Sequence, residues 1–157
     1  HDLSHPGLVI SRTFSKAYGL AGCRVGYAIA NPDIVALVNR FREPFNLNLL
    51  AQHAAVAALD DRDWVMERVA ETVAERKKLE TELDMMGMFG GACFGNFVLL
   101  RHSQCNEILR RLEDQGIIPR PLAPYGMPEY LRISVGLPEE NIEFLSALKK
   151  IVEELGK

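Results

Sequence analysis

Chemistry concentrates in residues 11–27, SRTFSKAYGLAGCRVGY. Lys16 is the single lysine in the first 76 residues, which carry seven arginines. Surface cations in this stretch are arginines, whereas Lys16 sits between small and aromatic residues: Phe14, Ala17, Tyr18, Leu20 and Ala21. A lysine amine forms a Schiff base with an aldehyde, and a guanidinium does not do so usefully. A solvated loop lysine is the plain alternative, and position alone leaves the two readings equal.

The neighbours shift the balance. Thr13 and Ser15 flank Phe14, and in an extended segment residues i and i+2 point the same way. Arg24 follows Lys16 by eight residues, across a loop that contains Gly19 and Gly22. Two hydroxyls, loop amides and a guanidinium make a phosphate site. The glycine spacing, G-x-x-G-x-x-x-G from Gly19 to Gly26, fits neither a nucleotide P-loop nor a dinucleotide fingerprint. A lysine beside a phosphate site is the composition of a pyridoxal phosphate pocket: the amine meets the aldehyde and the loop holds the phosphate.

Two arginines in the C-terminal half are further candidates. Arg132 sits mid-strand between Leu131 and Ile133, where a charge is costly unless it is paired or opens onto a cleft. Alternation also permits a solvent-facing Arg132. Arg120 is held between Pro119 and Pro121, as many exposed loop arginines are. Other residues point to less. His53 lies on an apolar helix and reads as a packed histidine, and His5 and His102 read as surface residues. Tyr18 reads as a packing aromatic and Asn96 as a turn or cap. Cys23 has no base beside it in the sequence.

TFSKAYGLAG at 13–22 resembles the lysine signature of fold-type-I pyridoxal phosphate-dependent aminotransferases. With CRVGY at 23–27 and PFNLN at 44–48, the chain most resembles the histidinol-phosphate aminotransferase family. The likeness continues through ALDD at 58–61, GNFVLLR at 95–101, GIIPRPL at 116–122 and YLRISVG at 130–136. It implies that Lys16 is the cofactor-bearing lysine and proton shuttle. It implies that Arg24, Ser15 and Thr13 bind the cofactor phosphate, and that Arg120 and Arg132 bind the substrate's anionic groups. The implied reaction moves an amino group between histidinol phosphate and 2-oxoglutarate, in a cytoplasmic homodimer of histidine biosynthesis. Aromatic aminotransferases and threonine-phosphate decarboxylases share the lysine loop and are the alternatives within the class. A non-catalytic isolated fragment is the alternative outside it.

The same resemblance implies the fold class: α/β, the C-terminal part of a fold-type-I transferase. Residues 1–59 would be the tail of the large cofactor-binding domain, 60–87 a long connecting helix and 88–157 a small α+β domain. The family's acidic partner for the pyridine nitrogen, its ring-stacking residues and its glycine-rich phosphate helix all precede the lysine strand. Asp2 is no substitute for that acid, because it lies in a loop before the same strand. The chain is therefore expected to be a partial subunit, inactive alone.

The elements that must position these residues follow from pattern. Residues 8–13 and 25–30 read as strands around a tight loop with one helical turn. A helix is expected at 33–42, ended by Pro44. A second, at 47–59, is apolar nearly all round and so expected to be buried. A long helix covers 60–86, with Val65, Val69, Val73, Leu79, Leu83 and Met86 as its stripe and Arg76–Glu80 and Lys78–Glu82 as i,i+4 pairs on the wet side. Gly87, Gly90, Gly91 and Gly95 then break the chain. Beyond them the pattern reads strand 96–101, helix 104–115, strand 117–120, a proline-rich loop 121–129, strand 130–135 and a helix from Pro138 to Leu155, with Glu139 and Glu140 at its dipole-positive start.

Composition sets the bounds. The chain has 157 residues, 48% hydrophobic and 25% charged, with a formal net charge of −3. That is globular, and it weighs against nucleic acid because no basic stripe is present. No apolar run approaches the roughly 20 residues of a membrane span. Cys23, Cys93 and Cys105 are odd in number and lack metal-ligand spacing, which favours free thiols in a reducing compartment and no metal. The opening His1-Asp2-Leu3, with a strand-like run almost at once, reads as a start inside a longer polypeptide.

Overall fold

The computed structural model describes residues 5–156. Asp2 lies outside the described residues. The chain divides into two compact units, residues 1–69 and 70–157.

In the first unit, β1 (Val9–Thr13) pairs antiparallel with β2 (Gly26–Ala30), from Val9 opposite Ala30 to Thr13 opposite Gly26. The intervening loop contains a 3-10 turn at Ala21–Cys23. Asn31 then starts α1 (Pro32–Asn39): its Oδ1 accepts from Asp33 N, and Pro32 supplies the fixed φ of a first helical turn. The helix stops short of residue 42 because Arg40 N and Phe41 N donate three residues back, to Leu37 O and Val38 O. Asn48 Oδ1 accepts from Ala51 N at 2.8 Å and caps α2 (Leu49–Asp60). The small core consists of Phe14, Val25, Ala51 and Ala55.

The expectation that α2 is buried is not met. Only Ala51 and Ala55 are covered, while Leu49, Leu50, Val56 and Leu59 are exposed. A helix apolar all round has no polar face to fix its rotation. Within its unit α2 presents its alanines to Phe14, where small side chains allow close approach.

The long helix α3 (Arg62–Met85) begins in the first unit and runs into the second. There Leu79 and Leu83 enter a core of 14 buried residues. The sheet of this unit is antiparallel with strand order β3 (Phe97–Arg101), β5 (Tyr130–Ser134), β4 (Arg120–Pro121). Val98, Leu100, Leu131 and Ile133 point into the core, where α4 (Cys105–Glu113) adds Ile108 and Leu112, and α5 (Pro138–Leu155) adds Phe144, Leu148 and Ile151. The strand expected at 117–120 is instead the two residues of β4, displaced toward the C-terminus. Pro119 and Pro121 have no N–H to donate, which confines this segment to a short edge.

Two of the expected ion pairs also differ. Arg76 and Glu80 do pair, at 3.5 Å, but are mostly covered rather than on the wet side. Lys78 pairs with Glu75, and Glu82 receives Lys149 from α5 at 2.7 Å. Among the described residues Asn141 is the buried polar residue of the unit. It accepts from Gly136 N, donates to Gly136 O and reaches Glu75 Oε2 on α3 at 3.0 Å, tying the β5–α5 turn to that helix. Burial pushes the Cys93 and Cys105 thiols up, and all three cysteines are free. Among the described residues no helix is long and apolar enough to cross a membrane.

Candidate functional site

The lysine loop is held by one buried ring. Phe14 leaves β1 and turns inward to 3% exposure. Its N–H donates to Val25 O and its carbonyl accepts from Leu20 N at 2.9 Å, closing the loop on both sides. Tyr18 packs on the Phe14 ring, with centroids 4.7 Å apart. With Phe14 pointing in, its neighbours in the loop are left outside: Ser15 is half-buried and Lys16 exposed. Gly19 N donates to Lys16 O at 2.8 Å, so the lysine's own backbone is fixed in a turn, while its amine has no partner among the described residues.

Arg24 completes the cluster by an unusual backbone. It adopts the left-handed region, φ 52°, at the end of the 3-10 turn. For a residue with a Cβ this costs about 1 kcal/mol. The turned chain sends the guanidinium back over the loop, where Nη1 donates to Ala21 O at 2.9 Å and to Ser15 Oγ at 3.4 Å. Ser15 N in turn donates to Thr13 Oγ1 at 3.0 Å. Thr13, Ser15 and Arg24 are thus linked, and Lys16 follows directly. Ser15 and Thr13 both act as acceptors here, so each hydroxyl hydrogen stays free to donate outward.

The other two predicted residues meet in the second unit. Arg120 on β4 lies directly opposite Arg132 on β5. Like charges opposite one another in a ladder are unfavourable unless an anion lies between them or solvent screens them. Both line an open cleft of ≈ 780 Å³, whose rim also carries Glu113, Glu140 and Glu143. Glu140 is occupied in accepting from Leu137 N at 2.7 Å, capping α5. Arg132 is half-buried; its Cζ lies 5.5 Å from the centre of the Phe97 ring. Arg120 Nη1 lies 3.5 Å from the Tyr125 hydroxyl. Among the described residues, neither arginine has a carboxylate at ion-pair distance.

The remaining residues sort differently. His53 is exposed, not packed, because it lies on the uncovered side of α2. His5 Nδ1 accepts from Gly7 N and His102 Nδ1 from Gln104 N, both local turn contacts.

This geometry is an exposed lysine on a phenylalanine-anchored loop in one unit and an arginine pair in the other. Residues 2–148 match the family model of class I and II aminotransferases. The chain is a class I and II aminotransferase segment. It is 44% identical over 153 residues to histidinol-phosphate aminotransferase 1 of Cupriavidus pinatubonensis, covering 95% of this chain and 41% of that one. It superposes with a TM-score of 0.85 and 30% identity on the crystal structure of histidinol-phosphate aminotransferase from Sinorhizobium meliloti in complex with pyridoxal-5'-phosphate, covering 96% of this chain and 42% of that one. With L-threonine-O-3-phosphate decarboxylase from Porphyromonas gingivalis the TM-score is 0.83 at 27% identity, over 97% and 49% of the two chains. The aminotransferase chain spans about 40% of the length of the curated relatives it matches.

Sequence reasoning missed Phe97, Gly95 and Tyr125 around the arginine pair. In each case the signal depends on strand register. NFVLLR and YLRISV alternate visibly, but which residue faces which is fixed only once Leu99 is set opposite Arg132.

Proposed function

We propose that this aminotransferase segment belongs to a pyridoxal phosphate enzyme that moves an amino group between histidinol phosphate and 2-oxoglutarate. The activity would reside in a cytoplasmic homodimer whose subunit is longer than these 157 residues. The observation that carries the reading is the linked set of Thr13, Ser15 and Arg24 directly beside the exposed Lys16.

The residues present suit the cofactor. Two outward hydroxyl hydrogens and one guanidinium offer charge-assisted hydrogen bonds to a phosphate. Lys16 directly follows Ser15 in the chain, and among the described residues its amine carries no ion pair that would have to break. Bound there, the cofactor supplies a sink for electrons released at the substrate's α carbon. The protein's own work is to place groups around it. Lys16 Nζ would bind the aldehyde end and serve as the proton carrier. Arg24 and Ser15 would hold the anionic end, which would restrain the cofactor beside Lys16. Arg120 and Arg132 receive the phosphate of the amino donor and the carboxylates of the acceptor, two anions that a pair of fixed guanidiniums suits.

The test is a coupled glutamate assay on the full-length subunit with histidinol phosphate and 2-oxoglutarate. Lys16→Ala is expected to abolish turnover with the fold intact. Turnover by Lys16→Ala well above that of free cofactor would sink the reading. Carbon dioxide release from threonine phosphate, without amino transfer, would replace it by the decarboxylase alternative.

A further inference from the structure

We infer that Phe97 and Gly95 are positioning residues for Arg132: the Phe97 ring orients the guanidinium on the substrate anion, and Gly95 leaves the space that the ring needs. This rests on the proposed anion-binding role of Arg132.

The sheet register puts the parts on one face. Leu99 is opposite Arg132 and Phe97 is opposite Ser134, so Phe97 and Arg132 are diagonal neighbours, a spacing that aromatic and long side chains bridge. The Arg132 Cζ lies 5.5 Å from the Phe97 ring centre, within cation–π range. Among the described residues no carboxylate lies at ion-pair distance from this guanidinium. The aromatic contact orients the charge without neutralising it, so the guanidinium's donors remain available to an anion.

The ring itself is set from below. A Cβ on Gly95 would stand 2.7 Å from Phe97 Cε1 and 3.1 Å from Cδ1. Any side chain there must displace the ring, because the ring edge is the movable partner and Gly95 has no left-handed backbone to strain. Gly95 is anchored in turn: Arg76 Nη1 of α3 donates to its carbonyl at 3.0 Å, and Arg76 is held by Glu80 at 3.5 Å. A rigid helix thus fixes the loop, the loop fixes the ring and the ring fixes the arginine. Arg101, two residues past Leu99 on the same face, makes a parallel case by contrast. It lies 5.9 Å from the Tyr130 ring centre but is also paired with Glu129 at 3.2 Å, and so is not open to an anion.

The experiment is steady-state kinetics on the full-length holoenzyme, with 2-oxoglutarate varied. Phe97→Leu and Gly95→Ala are expected to raise KM about three- to tenfold, the range a partly desolvated cation–π contact supports. kcat should change by less than about twofold, since the contact acts on binding rather than on the reacting atoms. Phe97→Tyr keeps the ring and should restore KM. In an Arg132→Ala background, Phe97→Leu should add nothing, because its effect passes through Arg132. An additive effect in that background, or an unchanged KM in both Phe97→Leu and Gly95→Ala while Arg132→Ala raises it, overturns the positioning role and leaves the Arg132 reading standing. An unchanged KM in Arg132→Ala overturns both. If Phe97→Leu fails to fold, Gly95→Ala decides alone: a KM like wild type contradicts the inference.

Discussion

The two units of this chain solve the positioning problem with very different resources. The second packs a core cluster of 14 residues around a three-stranded sheet and presents its arginine pair on the ladder of that sheet. The first has a core cluster of four, two of them alanines, and presents its lysine on a loop that one phenylalanine holds. Its apolar surface is correspondingly uncovered: Phe45 is 100% exposed, Phe41 and Leu50 81% each. A core of four residues cannot offset the ordering entropy of a 12-residue loop unaided. The loop's order rests on a few local bonds, whereas the arginine pair draws on a whole core. The contrast teaches that the candidate lysine and the candidate arginine pair of this chain rest on very unequal support.

The largest expected effect follows from that difference. Phe14→Ala removes the ring that closes the lysine loop, and a buried Phe→Ala change costs about 3–5 kcal/mol even in a full core. In a core of four it should abolish hydrogen-exchange protection throughout residues 5–69 and leave 70–156 protected. Leu131→Ala, the matching change in the larger core, should cost about 2–5 kcal/mol, read as a lowered unfolding midpoint with the native sheet retained. Equal responses of the two units to the two variants would erase the distinction.

Arg24→Ala comes next. If its guanidinium grips the cofactor phosphate, its loss should weaken cofactor retention by roughly ten- to a hundredfold, as for a charge-assisted hydrogen bond of about 1.5–3 kcal/mol. Equilibrium dialysis against pyridoxal phosphate reads it. Because the left-handed backbone at Arg24 is strained, Arg24→Gly should lose the cofactor equally while unfolding no earlier than wild type. Undiminished cofactor affinity in both variants would make Arg24 a loop-closing residue only.

The smallest effect is on acid stability and lies in the second unit. Glu107 on α4 is pushed down to about 2 by hydrogen bonds from Arg110 and then Arg111; Arg111 also reaches Glu154 on α5 at 2.8 Å. A carboxylate whose folded pKa is depressed stabilises above its unfolded value near 4.5. That contribution fades as pH falls toward 2. Glu107→Gln should therefore unfold slightly earlier than wild type at pH 7, and the gap between them should close by about pH 2. A gap that widened on acidification would reverse the sign of the linkage.

Much of this architecture was legible in the sequence. Turn residues and apolar period mark the ten elements to within a few residues, and the spacing around Lys16 brings hydroxyls, guanidinium and amine into one short segment. Two kinds of feature were not legible. Rotation of an all-apolar helix cannot be read from periodicity, so α2 and His53 were misplaced. Register was the other: the Arg120–Arg132 pairing, the Phe97 contact and the clearance at Gly95 exist only once three strands are aligned, and prolines at 119 and 121 disguised how little of that segment enters the ladder. The left-handed Arg24 belongs to the same class, since no propensity marks an arginine for that conformation.

The central claim is that Lys16 is the reactive amine. Its most direct test is borohydride reduction of the full-length protein with pyridoxal phosphate bound, followed by proteolysis and mass mapping of the phosphopyridoxyl label. The label is expected on the peptide containing Lys16, stoichiometrically, and absent from Lys16→Ala. Label spread over Lys77, Lys78, Lys149 and Lys150 in proportion to their exposure, with Lys16 unmodified, would contradict it.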